Sequence, residues 1–319
     1  MIEITQDEIM QNWNKKEVSV PIVSICCITY NHANYIEQCL DGFLLQKTSF
    51  PFEIINHDDC STDGTAEIIK KYVDKYPKLF VPLYEYENQY SKGVRGIYVN
   101  YVFPHVKSQF VAMCEGDDYW IDPEKLERQI LYLMQNSDTV LLAENTRVEN
   151  TIKDISYLFS SDKTESFSLE EILYKRRFAT SSVVFRYSVL KEFLPKLKTS
   201  CDTIIWACCA SVGKIDYIPN VSSVYRRGFQ GVTENTNKYK WALKNEEWSK
   251  QIYELFVPEK IKSHSLDFGL FKSFLVAFLD KKKQKQDICN IIKKIFVYYR
   301  FGYLIRLFLE KYGNKISKK

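Results

Sequence analysis

Three short apolar segments in the first 120 residues have the length of buried β-strands, and each ends at polar side chains. They span residues 22–28, 52–55 and 110–114. In the stretches after the first two segments, apolar residues recur at helical spacing: Ile36, Leu40, Phe43 and Leu44, then Ile68, Ile69, Tyr72, Val73 and Tyr76. This alternation predicts βαβ units, in which parallel strands are joined by right-handed crossovers.

The polar residues that follow these segments are the candidates for a functional site. Thr29 ends the first segment, Asp58 and Asp59 follow the second, and Asp117 and Asp118 follow the third. In open α/β sheets, ligands bind outside the carboxyl ends of the parallel strands. We therefore expect the three strand ends to converge on one edge of the sheet and to form a single site.

The third strand end carries three acidic residues within four positions, namely Glu115, Asp117 and Asp118. Carboxylates this close repel one another, and burial makes the repulsion more costly. A shared divalent cation removes the conflict, and oxygen ligands suit Mg²⁺ or Mn²⁺. The alternative interpretation is a solvated acidic turn before a helix, with Asp122 as its N-cap and Pro123 at its first position.

Three motifs in this order resemble family 2 glycosyltransferases of the GT-A fold. They are Thr-Tyr-Asn at 29–31, Asp-Asp-x-Ser-Thr-Asp-Gly-Thr at 58–65 and Glu-Gly-Asp-Asp-Tyr-Trp at 115–120. The resemblance extends from about residue 20 to about residue 225. It implies an α/β protein with the GT-A fold of nucleotide-diphospho-sugar transferases, a mainly parallel central sheet, and here a helical C-terminal appendage.

The resemblance also implies which residues bind the donor, a nucleotide-diphosphate sugar. Thr29 and Asp59 would contact the base, with Tyr30 and Asn31 in the same strand-end motif, and Asp58 would support that pocket. UDP-sugars are the commonest donors among similar proteins, although a contact with a base edge does not exclude dTDP or GDP donors.

The same resemblance implies that Asp118, together with Asp117, holds Mn²⁺ or Mg²⁺ on the donor diphosphate. Glu115 occupies the position of a further family acid. It would contact the metal or the ribose, or it would lie next to the metal ligands without touching the metal. His57 precedes the Asp pair. It either anchors the turn by hydrogen bonds or takes part in the chemistry.

Inverting transfer needs a base that accepts the proton of the attacking hydroxyl. The segment 178–190 is similar to the acceptor-side strand of the family, in which an acidic residue on the next helix is the base. Asp202 matches that position. Taken without the resemblance, the position of Asp202 at the start of an apolar helix favours an ordinary N-cap over a base.

Basic residues in two glycine-containing segments are candidates for binding phosphate. Tyr225 and Arg226 match a family segment that closes over the diphosphate, but the histidine common there is absent, so Arg226 or Arg227 would pair with phosphate. Lys92 and Arg95 are similar candidates for phosphate or sugar contacts. Both segments are also compatible with ordinary basic surface turns.

Composition supports one large α/β domain with an appendage, since the chain has 319 residues and is 45% hydrophobic. We predict an N-terminal extension (1–19), a catalytic domain (20–240) and a basic, amphipathic helical region (241–319). The nucleotide-binding half would span about 20–120 and the acceptor half about 121–240. Nine cysteines without a C-x-x-C motif indicate reduced core packing in a cytoplasmic protein.

Positive charge is concentrated in residues 270–319, which hold 13 Lys or Arg against three Asp or Glu, whereas the whole chain has a net charge of +4. Interleaved apolar residues suit helices that lie peripherally on an anionic bilayer, at the inner face of the plasma membrane. The alternative is an appendage packed on the catalytic domain. Nucleic-acid binding is not expected, because no recognised module is present. The first residues are polar, so a signal peptide is not expected. No apolar run reaches 18 residues, so a transmembrane helix is not expected either.

These observations predict an inverting, metal-dependent glycosyltransferase. It would move a sugar from a nucleotide-diphosphate donor to a hydroxyl of a saccharide or lipid-linked acceptor, in bacterial surface polysaccharide synthesis. Two alternatives are a sugar-phosphate nucleotidyltransferase and a catalytically inactive GT-A-like binding module. The first should have a glycine-rich loop after the first strand, where this chain has no glycine until Gly42. The same absence argues against a dinucleotide-dependent oxidoreductase.

Overall fold

The computed structural model describes residues 1–13, 20–150, 152–197 and 201–228, together with Trp248, Gln251, Leu255 and Phe256. One compact unit comprises Met1–Ile172 and Arg176–Gly231, and a second comprises Leu173–Lys175 and Val232–Lys319. The four isolated positions are helical. The rest of the predicted helical region over 241–319, with the proposed membrane contact, lies outside the described residues.

Ten strands and seven α-helices are assigned within the described parts of the chain. The strands are β1 (Val23–Thr29), β2 (Phe52–Asp58), β3 (Phe80–Tyr84), β4 (Phe110–Met113), β5 (Tyr119–Trp120), β6 (Thr139–Asn150), β7 (Ile155–Leu158), β8 (Glu165–Phe167), β9 (Val183–Arg186) and β10 (Lys214–Arg227). The α-helices are α1 (Gln6–Met10), α2 (Ile36–Leu44), α3 (Thr65–Lys75), α4 (Lys125–Gln135), α5 (Leu169–Tyr174), α6 (Tyr187–Lys191) and α7 (Asp202–Val212). Short π and 3₁₀ turns cover Tyr98–Val102, Phe103–His105, Thr180–Ser182 and Leu194–Lys196.

A single sheet contains all ten strands, in the order β3-β2-β1-β4-β9-β6-β10-β5, with β7 beside β6 and β8 beside β10. The first four strands of this order are parallel, as predicted from the βαβ pattern. The long pair β6 and β10 is also parallel, so parallel ladders hold most of the paired residues. Antiparallel pairs join β9 to β4 and β6, and β5 to β10.

The core forms where the predicted apolar stripes meet the sheet. Four α2 residues predicted to face inward are fully buried: Ile36, Leu40, Phe43 and Leu44. The middle of β1 is buried on both faces, which explains why its sequence is continuously apolar rather than alternating. Six of the described cysteines are buried core residues, as expected: Cys26, Cys27, Cys39, Cys114, Cys208 and Cys209.

Two local expectations are corrected by the structure. Helix α4 begins at Lys125 rather than at Pro123, because Asp122 first forms a turn in which its Oδ1 accepts from the Glu124 N–H at 2.9 Å. The strand expected within 178–190 is only Val183–Arg186, since a 3₁₀ turn precedes it and α6 follows at once. Among the described residues, no helix is long and apolar enough to cross a membrane.

Lys125 is a fully buried cation beneath the turn that carries the acidic motif. Its ammonium donates to Gln129 Oε1 and to the Ser182 carbonyl, and lies 4.7 Å from the centre of the Trp120 ring. Burial lowers the pKa of Lys125 to about 8, although Glu144 acts in the opposite direction. The protein therefore pays a desolvation cost for this charge at neutral pH.

This cost predicts a pH-dependent stability. Between pH 8 and pH 10 the unfolded chain binds more protons at Lys125 than the folded protein does, so this residue makes the free energy of unfolding rise with pH. Lys125→Met lacks this titration. From pH 7 to pH 10, we therefore expect the free energy of unfolding of the wild type to rise by roughly 2–3 kcal/mol relative to that of Lys125→Met. Urea denaturation of both proteins across that range measures the difference, and a constant difference would contradict the assignment.

Candidate active site

Thr29 and Asp58 form the first part of the site, at the ends of the neighbouring parallel strands β1 and β2. Their backbones are in register. The Thr29 hydroxyl lies 3.0 Å from Asp58 Oδ1, which also accepts from the Ser61 hydroxyl at 2.6 Å, and Oδ2 accepts from the Ser61 N–H at 2.9 Å. Asp58 thus shapes the loop after β2, and its expected role in supporting a base pocket stays a prediction.

The loops after β1 and β2 are joined to each other through Asn31. Its side-chain oxygen accepts from the Thr62 N–H at 2.9 Å, and its own N–H donates to the Ser61 hydroxyl at 2.8 Å. Asn31 and Cys60 have φ of 55° and 60°, the left-handed conformation that Asn tolerates better than most residues. Tyr30, between these contacts, is 41% exposed. The two strand-end motifs therefore form one connected rim.

The Asp59 side chain binds the segment after β3. Its two carboxylate oxygens accept from the Gln89 N–H at 2.7 Å and from the Tyr90 N–H at 3.1 Å. Its carbonyl accepts from the Asn88 side chain at 3.1 Å. A carboxylate held by two main-chain donors has a fixed orientation, so Asp59 positions the 88–90 turn at the edge of the site.

Lys92 and Arg95 lie in the same segment, and their charges are used locally. Lys92 forms an ion pair with Glu87. The Arg95 guanidinium donates to the Tyr90 carbonyl at 3.0 Å and lies 4.6 Å from the centre of the Tyr90 ring. Their contacts do not reach Asp117 or Asp118, so their expected role in donor binding stays a prediction.

The acidic motif is placed by a continuation of β4 along β1. The Gly116 N–H donates to the Ile28 carbonyl at 3.0 Å, and the Asp118 N–H donates to the Glu115 carbonyl at 2.9 Å. A side chain at Gly116 would overlap the Thr29 methyl group and approach His32 Nδ1 to 3.0 Å. Glycine is therefore required at this position for the acids to lie against the end of β1.

Arg226 closes this turn from the last strand, β10. Its main-chain N–H donates to Asp118 Oδ1 at 3.0 Å, and its guanidinium donates to the Asp117 carbonyl at 2.7 Å and to Gln38. The guanidinium also lies 4.3 Å from the centre of the Tyr119 ring. Arg226 is only 9% exposed, so its charge is used inside the acidic turn. A contact between this guanidinium and phosphate stays a prediction.

The positive charge near the acidic turn does not offset the burial and mutual repulsion of its carboxylates. Burial and the neighbouring Asp117 and Glu115 raise the pKa of Asp118 well above its usual value, and burial with Asp117 and Asp202 raises the pKa of Glu115 to about 8. Asp117 Oδ1 is buried and has no hydrogen-bond partner in the part of the chain that the structure describes, and Asp117 Oδ2 lies 3.8 Å from His32 Nε2.

The carboxylate oxygens of Asp117 and Asp118 fit a hard divalent ion that is held through two carboxylates and takes its remaining ligands from substrate and water. A larger ligand set is not preformed, because no group of three or more His, Cys, Asp or Glu side chains in the described ranges could hold a metal.

Asp202 is the first residue of α7 and is not its N-cap. Cys201 occupies the cap position, and no side chain makes the capping hydrogen bond. Asp202 Oδ2 instead accepts from the Thr180 hydroxyl at 2.5 Å and from Arg176 Nη2 at 3.2 Å. The N-cap interpretation is therefore wrong, and one oxygen of this carboxylate is held by two donors.

Arg176 is a charged residue of the candidate site that the sequence did not reveal. Its positive charge opposes the rise in pKa at both Glu115 and Asp118, and the carboxylates of Asp202, Glu115 and Asp118 all act on Arg176. It follows α5 without any motif, so no pattern singled it out. Arg176 connects the acidic turn electrostatically to Asp202, and it shows that these acids share one region.

His57 lies on β2, fully buried. Its Nε2 is 3.5 Å from Glu85 Oε1, its ring lies 5.4 Å from that of Tyr101, and burial lowers its pKa. This position favours the interpretation that His57 is part of the scaffold.

The profile of the family described as Glycosyl transferase family 2 matches residues 24–192. The chain belongs to glycosyl transferase family 2. An uncharacterized protein of Mycobacterium tuberculosis is 35% identical over 214 residues, which are 66% of this chain and 60% of that protein. This chain thus spans 60% of the length of that curated relative. The hyaluronan synthase of Pasteurella multocida is 26% identical over 231 residues, 71% of this chain and 22% of the synthase.

Solved structures agree on the fold of this family 2 member. The Staphylococcus aureus protein TarS 1–349, in complex with UDP-GlcNAc, superposes with a TM-score of 0.64 at 18% identity, over 84% of this chain and 79% of that one. The Pyrobaculum calidifontis mannosyltransferase PcManGT, in complex with GDP-Man and Mn²⁺, has a TM-score of 0.51 at 14% identity, over 94% and 81%. The predicted GT-A fold is confirmed.

The close contact at Gly116 generates a prediction about the family motif. Gly116→Ala should destabilise the protein by roughly 1–3 kcal/mol, because the new methyl group meets the Thr29 methyl group. Adding Thr29→Ser removes that methyl group and keeps the hydroxyl beside Asp58, so the double variant should recover much of the loss. Urea unfolding of the two single variants and the double variant measures the coupling. Additive effects would contradict the contact.

Proposed function

We propose that this protein is an inverting glycosyltransferase that uses a nucleotide-diphosphate sugar, with UDP-sugars favoured, and a divalent cation. The observation that carries the proposal is the common electrostatic environment of Asp118, Glu115 and Asp202, brought together from distant parts of the chain around Arg176. Family membership supports the reaction class.

The rim formed by the β1 and β2 loops is the proposed donor pocket. Thr29, Asp58 and Asn31 are connected by hydrogen bonds and give the pocket a fixed shape. Tyr30 is exposed enough to stack on a base. Each Asp59 oxygen already accepts one main-chain N–H of the 88–90 turn and keeps a second lone pair, with which the carboxylate would accept a hydrogen bond from the base edge.

Asp117 and Asp118 are the proposed ligands of Mn²⁺ or Mg²⁺. When bound, such an ion supplies positive charge that stabilises the departing diphosphate. The Arg226 N–H keeps Asp118 in orientation, and Asp117 has a buried oxygen that no described residue contacts by a hydrogen bond. Arg226, with Lys92 and Arg95, is proposed to add positive charge near the phosphates.

Asp202 is the proposed base. Thr180 and Arg176 hold its Oδ2, whereas its Oδ1 has no hydrogen-bond partner among the described residues. Oδ1 would accept the proton of the acceptor hydroxyl as that oxygen forms its bond to the anomeric carbon and the bond to the diphosphate breaks. The configuration inverts because attack and departure take place on opposite faces of the sugar.

The acceptor is proposed to be a hydroxyl of a saccharide or of a lipid-linked saccharide, in polysaccharide synthesis at the cytoplasmic face of a bacterial membrane. Hyaluronan synthase among the relatives supports a polysaccharide product. A nucleotidyltransferase receives no support from these comparisons. An inactive binding module would bind nucleotide without turnover. A thermal-shift screen of nucleoside diphosphates with and without Mn²⁺, followed by donor hydrolysis assays, separates that module from an enzyme.

Asp202→Asn should leave donor binding within about twofold of wild type and reduce transfer by about 10²–10⁴-fold, because the amide cannot take the hydroxyl proton. Steady-state transfer and UDP titration measure the two effects separately. Asp138→Asn is a matched control, since Asp138 is an 81% exposed side chain paired only loosely with Lys214. Near-normal transfer by Asp202→Asn would remove Asp202 from the role of base.

Asp118→Ala should abolish metal-dependent turnover, and EDTA should do the same to the wild type, with Mn²⁺ restoring only the wild type. The physical reason is that Asp118 and Asp117 would supply the protein ligands. Activity of the wild type that persists in EDTA would refute the metal requirement. Circular dichroism of Asp118→Ala checks that the variant is folded.

A further inference from the structure

Two arginines and three aromatic rings alternate along the surface beside Asp202. We call this set the arginine–aromatic strip: Tyr157, Phe159, Arg176, Tyr225 and Arg227. The Arg176 guanidinium carbon lies 5.6 Å from the Phe159 ring centre and 5.7 Å from that of Tyr225. The Arg227 guanidinium carbon lies 5.8 Å from the Tyr225 ring centre, and Arg227 Nη1 donates to the Tyr157 hydroxyl at 3.4 Å.

Strand register explains why these residues share one face. Tyr225 pairs with Val148 on β6, and Val148 pairs with Tyr157 on β7. Paired residues of neighbouring strands project to the same side of a sheet, and residues two positions apart do so as well. Arg227 therefore lies on the face of Tyr225, whereas Glu149, one position after Val148, lies on the opposite face.

The strip is exposed at Tyr157, Arg176 and Arg227, half-buried at Phe159 and Tyr225, and ends at the proposed base. Tyr157 is 44% exposed, and the Arg176 side chain is 40% exposed. Arg176 Nη2 reaches Asp202 Oδ2 at 3.2 Å, and among the described residues its Nε and Nη1 have no hydrogen-bond partner. A ligand that binds along the strip would thus reach the Asp202 carboxylate.

The chemistry of the strip defines the class of ligand. The exposed Tyr157 ring, with the half-buried rings of Phe159 and Tyr225 behind it, offers a flat apolar face that matches the apolar face of a sugar ring, and a guanidinium presents a planar fork of donors suited to carboxylate or phosphate. We propose that the strip is the acceptor subsite and that it selects a saccharide carrying anionic groups. This inference rests on the proposed transferase function and specifies its acceptor.

The test uses the full-length protein and three oligosaccharide probes: a hexamer of galacturonate, an oligomer of ribitol phosphate and neutral maltohexaose. Both anionic probes, or one of them, should bind, and maltohexaose should bind at least about tenfold more weakly. Calorimetry measures the dissociation constants, and the two anionic probes distinguish carboxylate from phosphodiester recognition. Binding should weaken as NaCl is raised from 50 to 500 mM, because the contacts are charge-assisted.

The variants Arg227→Gln and Tyr157→Leu should each weaken binding of the anionic probe by about tenfold or more. Arg147→Gln is the matched control, since Arg147 lies on the opposite face of the same hairpin and should leave binding unchanged. UDP titration in the presence of Mn²⁺ checks that the strip variants are folded and bind nucleotide as the wild type does.

Equal binding of neutral and anionic probes, or unchanged affinity in both strip variants, would overturn the proposal. The outcome is separable from that of the proposed function. A wild type that binds the anionic probe but neither binds nor hydrolyses nucleotide-sugars would keep the strip as a saccharide site and remove the transferase. A wild type that turns over the donor but does not bind the anionic probes would keep the transferase and remove the strip as a site for anionic saccharides.

Discussion

Repulsion among carboxylates is the constraint around which this molecule is organised. Glu115, Asp117 and Asp118 are crowded into one turn, and Asp202 approaches them from α7. The protein counters the repulsion in two ways. Arg226 contributes a main-chain donor and a guanidinium from one side, and Arg176 contributes a charge from the other. The raised pKa values of Asp118 and Glu115 show that the compensation is incomplete, and the cation proposed to bind there would complete it.

The proposed donor side is organised differently, because its polar groups form hydrogen bonds with one another. Asp58 binds Ser61 and Thr29, Asn31 binds the loop after β2, and Asp59 binds the 88–90 turn. Polar networks of this kind are stiff when every member has a partner. Rigidity lowers the entropy that a bound nucleotide would cost, and it keeps the two strand-end loops at a constant distance.

Sequence reasoning predicted the parts of the structure that depend on local periodicity. The apolar stripe of α2 and the parallel strands β1, β2 and β4 were predictable, because buried residues recur with the period of their element. The convergence of Thr29, Asp58 and Asp118 followed from the topology of parallel sheets. Arg176 and Thr180 were not predictable, since they meet Asp202 through tertiary packing. The start of α4 was also missed, because an Asx turn at Asp122 delays it.

The hydrogen bond to Asp118 Oδ1 comes from the peptide group of residue 226 and not from a side chain. Every amino acid except proline supplies the same donor, so this anchor is indifferent to sequence drift at that position. Alanine scanning would therefore report on the guanidinium and its stacking while leaving the anchor in place. The orientation of Asp118 therefore depends on the backbone path of β10. Relatives with another residue in place of the arginine would keep this hydrogen bond.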